Sequence, residues 1–384
     1  MNQWLTAALW MALALGASIV SIRLAVSVAL IEILFGVIGG NLFHLEVTEW
    51  VTFLAGLGSV LLTFLAGAEI DVIAMREHWK PVFAIGLVSF LLPFLGAWAF
   101  ALHALHWSPD GAKICGIALS TTSVAVVYAV MLETGLNNTE LGKLILAACF
   151  ITDLGTVLAL GVLFTNANVW LAVFAIVTSG MLIVTPKFTR WFFYQFGSSQ
   201  ISHPEVKLIL LLLFFLGGLA AKANSEAVLT AYLLGVVVAS VLVQHKKIIE
   251  SMRATVFTLL TPFYFLKAGA FVSVPALLTW AGFSMMVSLL LVKLVAKAVG
   301  TYPVCRLFQL DHRTSSYTTL LMSTGLTFGT ISALYGLEHK LISDLQYTVL
   351  VAVVIGSAVV PTLIAQSVFR PNVGQIKPAG LTEE

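Results

Sequence analysis

Charge is scarce in this sequence. Asp, Glu, Lys and Arg make up 10% of its 384 residues, 59% are hydrophobic, and the mean hydropathy is +1.01. A soluble domain carries about 25% charged residues. So sparse a set cannot cover a water-facing surface, and most of the exterior must meet lipid. The net charge of +2, with no basic run, excludes nucleic acid as a partner. Cysteine is nearly absent too. Cys115, Cys149 and Cys305 are scattered through apolar stretches without ligand spacing, which excludes a disulfide framework and leaves three small hydrophobes. There is no Gly-Lys-Ser/Thr phosphate loop, no Gly-x-Ser-x-Gly elbow and no His-Glu-x-x-His pair. ATP drive and membrane hydrolysis therefore have no machinery here, no cofactor is expected, and an enzyme is not indicated. His103 and His106 are three apart, but no Cys or carboxylate cluster joins them to make a metal site. No Lys or Arg precedes the apolar stretch that begins at Trp4, so it lacks the basic start of a cleaved signal and reads as the first membrane helix.

What the sequence has in abundance is long apolar runs. About 20 such residues suffice to cross a bilayer. Thirteen spans are expected, at 4–21, 24–43, 51–70, 81–104, 113–133, 141–165, 168–186, 206–222, 226–243, 255–273, 276–300, 314–335 and 345–369. The links are too short for a soluble domain. The stretch 187–205 has room for an interfacial helix, and the tail after Phe369 reads as short, polar and disordered. Of the 20 Lys and Arg, Lys267, Lys293 and Lys297 fall inside spans. Lys113, Lys222 and Lys340 fall on the face of the N-terminus, and the remaining fourteen on the other face. Positive residues stay inside. This orients the chain with its N-terminus outside and its C-terminus cytoplasmic, in a plasma (inner) membrane.

The chemistry should lie where charge enters lipid, because a charge at the bilayer centre costs about 2.5–3.5 kcal/mol and needs a reason. Glu32 and Asp153 are the acids well inside spans, whereas Glu69 and Glu226 lie near span ends. Asp153 follows Thr152 in an otherwise apolar run. A carboxyl there can trade a proton for an alkali cation, and the Thr152 hydroxyl is a suitable oxygen ligand for a hard ion. The competing reading of Asp153 is a structural salt bridge to an intramembrane lysine. Lys293 and Lys297 are four apart and share a helix face. Lys297 is expected to balance Asp153, and Lys293 either joins it or pairs elsewhere. Lys267 is expected to anchor its helix to Glu32 or to backbone carbonyls.

Two polar runs interrupt apolar spans: Ser120-Thr121-Thr122-Ser123, and Ser323-Thr324-Gly325-Leu326-Thr327. Transporters place broken helices at corresponding positions of inverted repeats, with the ion site between them. One break and one charged helix fall in each half of this chain.

Several stretches resemble, in order, the monovalent cation:proton antiporter-2 family. They are Leu30–Gly36, the Ala-Gly-x-Glu-x-Asp signature within Phe64–Asp71, Ser120–Val124, Tyr232–Gly235, Pro262–Phe265 with Gly269, and Lys297–Gly300. The resemblance implies an all-α polytopic fold of about thirteen helices, with inverted repeats and two crossing broken helices. It implies a core built from spans 81–165 and 276–369. It also implies a homodimer formed through the first three spans and 206–273, with 168–186 as the linker helix. The family's ion-binding aspartate matches Asp153 and its site lysine matches Lys297. Many sodium-exchanging members carry Asp-Asp where this chain has Thr152-Asp153, and one exchanging carboxylate implies one proton per cation. The expected function is therefore an electroneutral exchange of Na+, with K+ as the alternative ion, for H+. Thr121, Thr122 and Ser123 would help hold the cation, and Ser323 and Thr324 are secondary candidates. The rival reading is a sodium-coupled symporter of an organic anion on a similar inverted-repeat fold.

Overall fold

The computed structural model describes residues 3–24, 27–43, 45–68, 79–136, 139–164, 169–196, 203–223, 227–242 and 245–371. Glu69 and Asp71 of the signature, Glu226, and the polar tail from position 372 lie outside them. All the described elements are helices. Among the described residues, nine segments are long and apolar enough to cross a bilayer unaided, and two shorter apolar helices accompany them. The protein is an integral membrane protein, and its contacts divide it into two compact units.

The first unit comprises Met1–Val47, Ile73–Thr156 and Phe265–Glu384. It contains α1 (Gln3–Leu24), α2 (Val28–Leu42), α4 (Trp79–His103), α5 (Pro109–Ser120) and α6 (Val124–Thr134), with α3 (Glu49–Ala68) belonging to the second unit. The greater part of α7 (Glu140–Leu163) and most of α12 (Thr261–Ala270) follow. The short turn α13 (Val274–Leu277), α14 (Trp280–Leu307), α15 (His312–Met322), α16 (Thr327–Glu338) and α17 (Asp344–Val368) complete it.

Both expected polar breaks are real interruptions. The α5 helix starts on a Ser108 cap, whose Oγ accepts the Gly111 N–H at 3.1 Å with Pro109 at the first turn, and it ends at Thr121 in an extended conformation. After Thr121–Ser123 the chain resumes as α6. The α15 helix starts on Asp311, stops at Ser323, and resumes as α16 after Leu326. Each expected span over a break is thus a pair of half-helices. Ser and Thr side chains offer the backbone alternatives to helical bonding, which is why these runs interrupt it.

On α14 the residues four apart, Leu289, Lys293, Lys297 and Thr301, are all buried, while Leu291, Val295 and Val299 are exposed. One helix thereby turns an apolar stripe outward and two ammonium groups inward. The α2 and α12 helices cross closely, because a Cβ at Gly36 would intrude on the Leu266 carbonyl and one at Gly269 on the Ile33 carbonyl. Such small-residue contacts are the usual packing device between helices in lipid.

The second unit comprises Thr48–Val72 and Val157–Tyr264. It holds α3 (Glu49–Ala68), the end of α7, α8 (Val169–Phe196), α9 (Pro204–Lys222), α10 (Ala227–Leu242) and α11 (Lys246–Thr255). Gly67 and Gly235 bring α3 and α10 together, each backed by the other helix's carbonyls. Phe64, Leu65, Leu234 and Val238 pack beside that crossing. The separate interfacial helix expected after position 186 is not formed within the described residues. Lys187–Phe196 instead continues α8 through Pro186. The expected span 255–273 is also composite: α11 passes through a π-turn at Val256–Leu260 into α12.

Candidate functional site

The two breaks meet within the first unit. The Ser123 N–H donates to the Thr324 carbonyl at 3.0 Å, and the Thr122 hydroxyl donates to the Met322 carbonyl at 2.7 Å. Orphaned backbone groups left by each interruption are therefore partly satisfied by the other, as a membrane interior requires. Close approach of α16 to α5 depends on Gly329, where a Cβ would lie 2.9 Å from the Ala118 carbonyl.

Lys297 reaches this junction from α14. Its ammonium, fully buried, donates to Ser89 Oγ on α4 at 2.8 Å and to Thr122 Oγ1 at 3.0 Å. The Thr122 proton is committed to Met322, so its oxygen lone pairs are free to accept from the lysine. The lysine sits beside the carbonyl end of α5, where the helix dipole favours a cation.

Asp153 reaches the junction from α7. Cys149, one turn earlier on the same face, contacts Met322 at 3.8 Å between sulfurs. Asp153 is 1% exposed, and its Oδ1 has no protein hydrogen-bond partner among the described residues. Asp153 and Lys297 act on each other coulombically, yet no ion pair joins them among the described residues. The structural salt bridge weighed against a binding role is not what the lysine makes; it is held by hydroxyls. The Thr152 hydroxyl donates to the Cys149 carbonyl at 2.7 Å, which turns its lone pairs outward from that bond. Such an oxygen can ligate a cation, and so can those of Thr121, which donates to Ala118, and Thr122.

The other candidates fall as follows. Lys293 donates to Ser357 Oγ on α17 at 2.9 Å. Ser123 Oγ accepts the Val126 N–H at 3.4 Å and so caps α6. Ser323 and Thr324 return their hydroxyls to Thr319 and Leu321 at the end of α15, a local capping role. Glu32 is buried on α2, away from these contacts, with Oε2 unpartnered among the described residues. Lys267, expected to anchor its helix to Glu32 or to backbone carbonyls, instead forms an ion pair with Glu338 at the end of α16. The Glu338 side chain is 43% exposed, so this pair keeps part of its hydration, which a Lys267–Glu32 pair would forfeit.

Sequence reasoning passed over Ser89, Ser357 and Glu338. Ser89 and Ser357 are lone serines in apolar helices, distinguishable from ordinary back-bonded serines only once the lysines are seen to reach them.

Interrupted helices that meet over buried charges define the class: a membrane transporter that builds its site from broken helices. More narrowly, the chain belongs to the sodium/hydrogen exchanger family, whose transmembrane model matches residues 10–370. It is 22% identical over 352 residues to the "Probable Na(+)/H(+) antiporter 3" of Methanocaldococcus jannaschii, covering 89% of each chain. It is 25% identical over 336 residues to "Cation/H(+) antiporter 18" of Arabidopsis thaliana. That match takes in 83% of this chain but spans only 41% of the plant protein. The fold matches the sodium proton antiporter MjNhaP1 of M. jannaschii, solved at pH 8, with a TM-score of 0.72 and 14% identity. The match covers 97% of this chain and 100% of that one.

Proposed function

We propose that this protein is a secondary antiporter that exchanges a monovalent cation, Na+ in preference to K+, for H+ at Asp153. The observation that carries the reading is a buried carboxylate with a free oxygen, set where two broken helices meet and beside a lysine that hydroxyls already hold. Asp153 binds either the cation, helped by the Thr152, Thr121 and Thr122 oxygens, or a proton. The two compete for one group, and that competition couples their fluxes. An empty, charged Asp153 makes crossing costly, so unpaired movement of either ion is suppressed. Either load carries a single positive charge, so the loaded site has the same net charge in both half-cycles and exchange is electroneutral. In this reading the core spans 81–165 and 276–369 move to present Asp153 to each side in turn, and the protein works as a homodimer. It sits in the plasma membrane with the basic loops in the cytoplasm. The organic-anion symporter finds no support among the relatives named above, which are called antiporters, and is set aside.

The test is dissipation of an imposed pH gradient in proteoliposomes by Na+, Li+, K+ or Rb+, with the membrane potential clamped. The wild-type protein is expected to respond to a cation at the same rate whether or not the potential is clamped. Asp153→Asn is expected to purify as a folded protein and to exchange nothing. Cation-driven proton flux surviving in that variant would sink the assignment.

A further inference from the structure

Asp153 is open to a cation only while Lys297 stays off it. The two groups act on each other coulombically, so the ammonium is within electrostatic reach of the carboxylate. Burial ordinarily drives such groups to pair. Among the described residues no ion pair joins them, and Asp153 Oδ1 has no hydrogen-bond partner. The lysine is therefore held elsewhere, by two hydroxyls that differ in one respect. Thr122 Oγ1, at 3.0 Å, lies in the first break and is one of the oxygens assigned above to the cation. Ser89 Oγ, at 2.8 Å, lies on α4 and is outside that set. Ser89 is the only hydroxyl residue of α4 and is fully buried. Its helix is pressed between the two charged ones. Toward α7, a Cβ on Gly86 would lie 2.6 Å from Ile151 Cβ, and one on Gly155 would lie 2.8 Å from the Phe90 ring. Toward α14, a Cβ on Gly300 would lie 2.6 Å from Leu92 Cδ1 and 2.9 Å from Val88. Ser89 lies between Val88 and Phe90, where both contacts fix α4.

We infer that Ser89 is a positioning residue of the exchange site: it seats the Lys297 ammonium away from Asp153 and so leaves the carboxylate free for the cation. The inference rests on the Asp153 reading. Without the Ser89 oxygen, a buried ammonium loses one of its two acceptors and must find another, because an unmet buried donor is costly. The acceptors left to it are Thr122 Oγ1 and the Asp153 carboxylate. Both are oxygens that the cation needs, so a lysine drawn further onto either one competes with the load. Ser89 touches neither cation nor proton in this account. It acts through Lys297 alone, and its effect is on how tightly the cation binds.

The experiment compares wild type with Ser89→Ala, Ser89→Cys and Ser89→Thr. Ala removes the acceptor, Cys fills the space with a poor acceptor, and Thr keeps the oxygen. Two readouts are used: the KM for Na+ in proteoliposomes at fixed pH, and the Na+ concentration that half-saturates the rise in Tm of purified protein. Ser89→Ala and Ser89→Cys are expected to raise both values roughly tenfold, the scale of one hydrogen bond to a charged group, with the maximal rate changing less than KM. Ser89→Thr is expected to restore both toward wild type. Unchanged or lowered values in folded Ser89→Ala and Ser89→Cys proteins would overturn the inference, as would a Ser89→Cys protein that matches wild type, which would mean that Ser89 only fills space. A Ser89→Thr protein as impaired as the other two would overturn it as well. So would failure of Ser89→Ala and Ser89→Cys to fold, which would assign Ser89 to the scaffold. If wild type itself shows neither a saturable Na+ dependence nor stabilisation by any alkali cation, the antiporter reading fails instead, and the two failures are distinguished.

Discussion

Residues that carry charge in this protein are held in three different ways. Lys297 and Lys293 are held by hydroxyls, Lys267 by a carboxylate that reaches water, and Asp153 by no hydrogen bond to its Oδ1. The distinction predicts different costs. Removing Glu338 would leave the Lys267 ammonium, whose side chain is 4% exposed, without its counter-charge. Breaking a fully buried pair costs 3–5 kcal/mol, but water reaches Glu338, so Glu338→Gln should cost about 1–2 kcal/mol. The expected result is a lower Tm in detergent, recovered in the Lys267→Met/Glu338→Gln double variant, where no charge remains to be buried. An unchanged Tm in the single variant would show that the pair contributes nothing. At this scale the sequence was legible for the charges themselves, because any ionisable group inside an apolar run stands out. Their partners were not. For Lys267 the sequence left Glu32 and backbone carbonyls as the anchors, since nothing in a linear chain brings Glu338, 71 residues away, to the same helix end.

The elements show how much of the site is local. Both interruptions were readable from runs of Ser and Thr, because short polar side chains compete for the backbone wherever they cluster. That the interruptions meet was not readable, since it rests on bonds such as Thr122 to Met322, 200 positions apart. The half-helices must begin at defined places for those bonds to register. The α15 helix does so on Asp311, whose carboxylate accepts the Arg313 and Thr314 N–H groups at 3.0 and 3.2 Å. Asp311→Ala should cost about 1 kcal/mol, as N-cap removal usually does. The hydrogen bonds from Thr314, side chain first, hold the Asp311 carboxyl below its ordinary range. A depressed folded value means that the charged cap contributes fully above the unfolded value of about 3.9 and is lost as pH falls through the folded one. The Tm difference between wild type and Asp311→Ala should therefore be flat from about pH 8 to 5 and shrink only in stronger acid. A difference that already changes near neutral pH would point to another group. One span boundary fell short of the helix that forms. The α8 helix runs on through Pro186 to Phe196.

At the scale of the whole molecule, the basic loops carry the one global statement the sequence makes about direction. On the thirteen-span reading of the sequence, Lys113, Lys222 and Lys340 are expected on one side and fourteen cations on the other, because a translocating chain retains its positive loops in the cytoplasm. The structure supplies a clean way to test this. Cys115, Cys149 and Cys305 are all buried, so the native thiols form a quiet background for a membrane-impermeant maleimide. Single cysteines placed at Lys113 or Lys340 should react in intact cells. Those placed at Lys143 or Arg313 should react only after permeabilisation. Lys113 lies in the first turn of α5 and Lys340 follows α16, while Lys143 lies in the first turn of α7 and Arg313 in that of α15. Their labelling therefore fixes which end of each half-helix faces which solution. The inverted pattern would turn the molecule over, and the side from which Asp153 releases its cation would be reassigned with it. Mixed labelling of one set would mean that a span was miscounted between the two positions. An orientation error and a topology error thus leave different signatures in the same experiment.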